Sequence, residues 1–164
     1  MSNLHRLAGE TVAAAAGRGI TIATAESLTA GMVSAILADT PGASAMLRGG
    51  VVSYSNSVKR DLLRVPQELL DAVGSVDGDV AAAMAEGARN ACGADLAIAT
   101  TGVAGPGEHD GKPVGTVFIG VASAQGATFY PYSFEGTRAE IRALACEAAL
   151  ERLREALASL SYRE

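Results

Sequence analysis

The sequence predicts a layered α/β domain whose mixed sheet is mostly parallel, with about five strands. Three observations carry this. Short apolar runs alternate with Ala-rich stretches of helical period along the first hundred residues, the pattern of strands joined by helical crossovers. Two later apolar runs, separated only by SAQGA, read as a hairpin, which adds an antiparallel member. The chain has 164 residues, of which 49% are hydrophobic, enough for one domain with a sizeable core. Residues 1–164 are read as that single domain.

The elements follow in order. Residues 4–16 form an Ala-rich helix, ended by Gly17 and Gly19. Residues 20–24 read as a strand, and residues 30–38 as a helix with Met32, Val33, Ile36 and Leu37 apolar. Gly49 and Gly50 introduce a second strand over 51–54, and Ser55 offers N-cap chemistry for a short helix through Leu63. Pro66 opens the next helix, which Gly74 ends. Asp77 caps a helix over 80–92, stopped by Gly93. Residues 96–101 are a third strand, followed by a long Gly/Pro loop over 102–113. The hairpin strands span 116–122 and 128–134. Thr137 with Glu140 fits a capping box, opening a final helix to about Leu160.

Thirteen basic against eighteen acidic residues give a net charge of −5, and no Lys/Arg block stands out. Non-specific nucleic-acid binding is therefore not expected. The first twenty residues carry no long apolar run, so neither a signal peptide nor a membrane span is expected, and the cytoplasm is the default location. Cys92 and Cys146 fall in helices and read as reduced, buried thiols. His5 and His109 are too few for a metal site, and Glu108-His109-Asp110 reads as a solvated loop tip.

Chemistry is expected at three segments that follow strands. They are TAESLTAG, YSNSVK and TGVAGPGEHDGKP, and they meet at one edge if the first three strands are parallel. In the first, Ser27 stands where a helix begins and can act as a nucleophile if a base is near; Thr29, Ala30 and Gly31 leave backbone N–H groups open to a ligand or a developing oxyanion. The ordinary alternative is helix capping by Ser27 or Thr29. In the second, Lys59 is a desolvated base or a surface lysine, and Tyr54 a proton relay or a half-buried ring. In the third, Thr101, Gly102 and Gly105 could cradle an anion, although neither a Walker motif nor G-x-G-x-x-G is present. Arg138 and Arg142 open the last helix, either as solvated side chains or, for Arg138, as an anion contact.

Together these segments resemble the CinA C-terminal domain family, over about residues 4–158. The resemblance implies a three-layer α/β/α sandwich and a metal-free, cofactor-free serine amidohydrolase. Its implied reaction is hydrolysis of the nicotinamide mononucleotide carboxamide to nicotinate mononucleotide and ammonia. Members are commonly dimers, so a homo-oligomer is expected. The family's serine falls on Ser27, its tyrosine on Tyr54, its lysine on Lys59 and its ligand loop on residues 101–107. Leu28 and Ala30 stand where the family usually has cysteine and glycine. Two other readings remain: a nucleotide-binding accessory of DNA uptake or repair without turnover, and an amidohydrolase on a related amide.

Overall fold

The computed structural model describes residues 2–160; residue 1 and residues 161–164 of the expected domain lie outside the described residues. The chain begins with α1 (Asn3–Arg18), β1 (Ile22–Glu26) and α2 (Met32–Ala38). A single 3-10 turn (Ala43–Ala45) leads to β2 (Leu47–Val52), α3 (Asn56–Asp61), α4 (Gln67–Val73) and α5 (Gly78–Cys92). Then come β3 (Leu96–Gly102), β4 (Thr116–Ser123), β5 (Gly126–Ser133) and α6 (Arg138–Ser159).

The strands form one sheet in the order β2-β1-β3-β4-β5. β1 lies parallel to both β2 and β3, while β4 runs antiparallel to β3 and to β5. Four strands thus share a direction and only β4 opposes them.

The two faces are built differently. Ile22, Ile98, Val117 and Ile119 face α1, α2 and α6, where Leu7, Val12, Leu37, Ile141 and Leu150 complete a large aliphatic core. Ala23, Ala25, Ala97 and Ala99 face the other way, toward Val80, Met84, Leu63 and Leu70. Those small side chains let α5 lie close to the sheet, so the sandwich has three layers. Both cysteines are free and helical; Cys92 is half-buried and Cys146 is buried, with burial pushing its thiol up to about 12. Among the described residues, no helix is long and apolar enough to cross a membrane.

Several boundaries move for identifiable reasons. Gly19 closes α1 in the left-handed conformation and the Ile20 N–H returns to Ala15 O, so Ile20 belongs to the helix exit and β1 starts two residues later. Ala30 and Gly31 have φ of 49° and 97°, which places both in the turn before α2. Gly49 and Gly50 lie inside β2, paired with Ala23 and Thr24 of β1, and position 50 takes glycine because a Cβ there would sit 2.2 Å from Thr24 Oγ1. The hairpin connection is only Ala124-Gln125, shorter than the expected five residues. The caps by Ser55 and Asp77 and the Thr137/Glu140 capping box form where the sequence puts them.

Candidate active site

The turn between β1 and α2 is held by Glu26, the last residue of β1 and only 1% exposed. Its Oε1 accepts from Thr29 Oγ1 at 2.7 Å and from the Val33 N–H at 2.8 Å. Its Oε2 accepts from the Ser34 N–H at 3.1 Å and from Ser34 Oγ at 2.9 Å. Glu26 therefore satisfies the first turn of α2, whose N-cap position, Gly31, has no side chain to do so. Thr29 contributes to the same buried knot, also meeting Thr100 Oγ1 at 2.8 Å. Neither serine nor threonine is the helix cap, and the Ser27 hydroxyl is left to other work.

That hydroxyl accepts from Lys59 Nζ at 3.0 Å. Lys59 lies on α3 and is 1% exposed. Its ammonium also donates to Ser53 O at 2.6 Å and, at a longer 3.4 Å, to Tyr54 O. Burial pulls its pKa from 10.5 to about 8, against the opposing field of Asp110. The neutral amine keeps two N–H groups for the carbonyls and turns its lone pair toward Ser27. The arrangement can take a proton from a hydroxyl near neutral pH, which a solvated lysine cannot do well.

Tyr54 sits differently from the expected relay. It follows the end of β2 and is 58% exposed, and its hydroxyl accepts from Arg138 Nη2 at 3.0 Å rather than bonding Ser27 or Lys59 Nζ. It supports Lys59 through its carbonyl alone. Arg138 also donates to Gly105 O, so it spans the second and third loops.

Ser27 opens into a cleft of about 250 Å³, lined by Leu28, Tyr54, Ser75, residues 101–105, Gly107, Glu108, His109 and Arg138. Thr101, Gly102, Gly105 and Arg138 thus face the space where a ligand would lie. Thr29, Ala30 and Gly31 do not line it: the Thr29 side chain belongs to the Glu26 knot, and Ala30 and Gly31 turn the chain toward α2. Leu28 takes their place on the wall. The Thr101 hydroxyl donates inward to Ser75 O at 2.6 Å.

Arg142 is the side chain whose placement the sequence least suggests. Its Nε donates to Leu28 O at 2.8 Å and its Nη2 to Thr29 O at 3.2 Å. In a trans peptide the N–H points opposite to the C=O. Holding Leu28 O toward α6 therefore aims the Thr29 N–H away from α6. Among the described residues, none accepts the N–H of Leu28 or Thr29. Also among the described residues, no group of three or more His, Cys, Asp or Glu is gathered to hold a metal ion.

The family model of the CinA C-terminal domain matches residues 4–157. The chain belongs to this family. A CinA-like protein from Geotalea uraniireducens is 47% identical over 147 residues, covering 89% of this chain and 35% of the relative. One from Mycolicibacterium gilvum is 51% identical over 142 residues, covering 85% of this chain and 33% of the relative. The chain spans about a third of the length of these relatives. Among solved structures, the competence damage-inducible protein A from Klebsiella pneumoniae superposes with a TM-score of 0.93 at 35% identity, covering 98% of this chain and all of that one (100%). The competence/damage inducible protein CihA from Agrobacterium tumefaciens gives 0.92 at 34% identity, covering 97% and 98%. The three-layer sandwich with a mixed five-stranded sheet is thus the fold of the CinA superfamily structures.

Proposed function

We propose that this CinA domain is a serine amidohydrolase that cleaves the carboxamide of nicotinamide mononucleotide, giving nicotinate mononucleotide and ammonia. The observation that carries the reading is the 3.0 Å contact between Ser27 Oγ and the buried amine of Lys59, in the wall of a cleft. An amide is a poor electrophile, so a nucleophile, a base and an oxyanion donor are all needed. Ser27 Oγ attacks the carboxamide carbon while Lys59 Nζ takes its proton. The N–H of Leu28, a residue that lines the cleft beside Ser27, stabilises the oxyanion. Lys59 returns the proton to the departing ammonia, and water then releases the acid from Ser27. Arg138 and the loop after Thr101 receive the nucleotide part of the substrate, with Tyr54 orienting Arg138. The reading carries with it a cytoplasmic homodimer that needs no metal or other cofactor, within the single domain of residues 1–164.

The test is direct. Purified protein with nicotinamide mononucleotide should release ammonia and nicotinate mononucleotide in equal amounts, and free nicotinamide should be a far poorer substrate. Equal kcat/KM for the two would refute the role given to the loop and Arg138. The structural relatives are named for induction by competence or damage, and the second reading is an accessory protein of that setting that binds a nucleotide without turnover. Nucleotide binding without any ammonia release would favour that one.

A further inference from the structure

The tip of the long loop after β3 is built more firmly than a solvated end requires. His109 and Lys112 pair as an antiparallel bridge, with reciprocal N–H···O bonds of 3.2 and 2.8 Å. The two residues between them, Asp110 and Gly111, have φ of 50° and 71°. This is the tight mirror-image hairpin turn for which Asp-Gly is suited, though Asp110 bears a backbone conformation that most residues avoid.

The turn sends the Asp110 carboxylate across to the connection between α4 and α5. There Oδ2 accepts from the Ser75 N–H at 2.8 Å and from Ser75 Oγ at 3.0 Å. The carboxylate lies against Gly74, where a Cβ would come within 2.7 Å of Oδ2, so the absence of a side chain makes the approach possible. On its other side Ser75 accepts from Thr101 Oγ1 at 2.6 Å. Ser75 is 7% exposed, lines the cleft, and joins the end of β3 to the tip of the loop that follows it. These hydrogen bonds hold the Asp110 carboxyl below the usual carboxylate range, so it is ionised at neutral pH.

We propose that Asp110 is a positioning residue that fastens the glycine-rich loop to Ser75 and so fixes the cleft wall against which the nucleotide lies. The nucleotide itself rests on the function proposed above. Val103 and Ala104 are buried, but residues 105–109 have few anchors of their own. Val103 pairs with Thr116 and Gly115, and Gly105 O accepts from Arg138. Asp110 supplies the distal anchor. Without it the loop samples open positions, and a ligand must select the closed fraction, which weakens apparent binding without changing the chemistry.

Two variants, Asp110→Ala and Asp110→Asn, test this with two readouts. The first is hydrogen exchange of the Ser75 amide and of residues 103–109 in the ligand-free protein. The second is the Kd for nicotinate mononucleotide, the non-reacting product. Asp110→Ala should speed Ser75 exchange and weaken binding by about tenfold, equivalent to about 1.4 kcal/mol. Its kcat at saturating substrate, measured at pH 9.5 where the Lys59 amine is largely neutral with or without the field of Asp110, should change less than about threefold. Asp110→Asn keeps a neutral acceptor and should fall between Ala and the parent on both readouts. Unchanged Ser75 exchange would show that no such fastening exists. Faster exchange with unchanged Kd, or a loss confined to kcat, would show that it does not shape the site; either result overturns the proposal. A wild-type protein that binds the product but never hydrolyses the amide would sink the amidase reading alone, since neither readout needs turnover.

Discussion

Raising the pH from 6 to 9 should switch the enzyme on through Lys59. Only its neutral amine can take the Ser27 proton, and burial has moved its pKa from 10.5 to about 8. At pH 7 an ordinary lysine is neutral in about 0.03% of molecules, whereas one at 8 is neutral in about 9%, roughly a 300-fold gain in active form. Measured as ammonia release from nicotinamide mononucleotide against an enzyme-free blank, kcat/KM should climb about tenfold per unit below pH 7.5 and level off above pH 9. Lys59→Arg stays charged over that range and should lack the rising limb, retaining under about 1% of activity. A flat wild-type profile between pH 6.5 and 9, or an active Lys59→Arg enzyme, would refute the base assignment. The same shift acts on stability. The folded pKa lies below the unfolded one, so between about pH 8 and 10.5 the unfolded chain holds a proton that the folded chain does not. Stability from this group is therefore fully present above about pH 10.5 and is lost as pH falls to about 8, by up to about 3 kcal/mol.

Ser27→Ala should leave the circular dichroism spectrum intact and lower turnover by about three orders of magnitude or more, because no positioned nucleophile remains; near-normal activity would mean that the hydroxyl has no chemical role. Arg142→Ala should release the Leu28 and Thr29 carbonyls and reduce kcat by about 10- to 100-fold with a smaller effect on KM, since the Leu28 backbone that carries the oxyanion donor loses alignment. An unchanged kcat would remove the Leu28 N–H from the mechanism. Gly50→Ala should destabilise the fold by about 1–3 kcal/mol, read as a lower urea midpoint, because its Cβ would press on Thr24 Oγ1 at 2.2 Å and Ser34 Oγ at 2.7 Å. An unshifted midpoint would mean that β2 slides away at little cost.

The alternation of elements and the final hairpin were legible because period and turn chemistry are local properties of the chain. The capping box at Thr137 and the caps at Ser55 and Asp77 were legible for the same reason. Boundaries failed where a distant partner decides them. Nothing near Gly50 in sequence reveals that Thr24 and Ser34 crowd it, so it read as the lead-in to a strand rather than its interior. At the site, Ser27 and Lys59 were recognisable by residue type and by family resemblance. The roles of Thr29 and Glu26 were not, because capping of α2 from the preceding strand end needs the β1–α2 geometry. Arg142 reaches Leu28 across 114 positions of sequence, and a helix-surface arginine looks the same whether or not such a partner exists. The Asp-Gly pair at 110–111 did carry a signal, the tight hairpin turn, which the reading as a solvated tip passed over.

The direction of β4 has a practical consequence. Because it opposes its neighbours, the ends of β1, β2, β3 and β5 and the start of β4 gather at one rim, with Ser27, Arg138 and the loop after Thr101. The Ala124-Gln125 connection lies at the opposite pole of the sheet, exposed and without any residue of the cleft. A fluorophore, an affinity tag or a whole fused domain inserted there would hang from the far side of the molecule, leaving the rim free to bind and turn over its ligand.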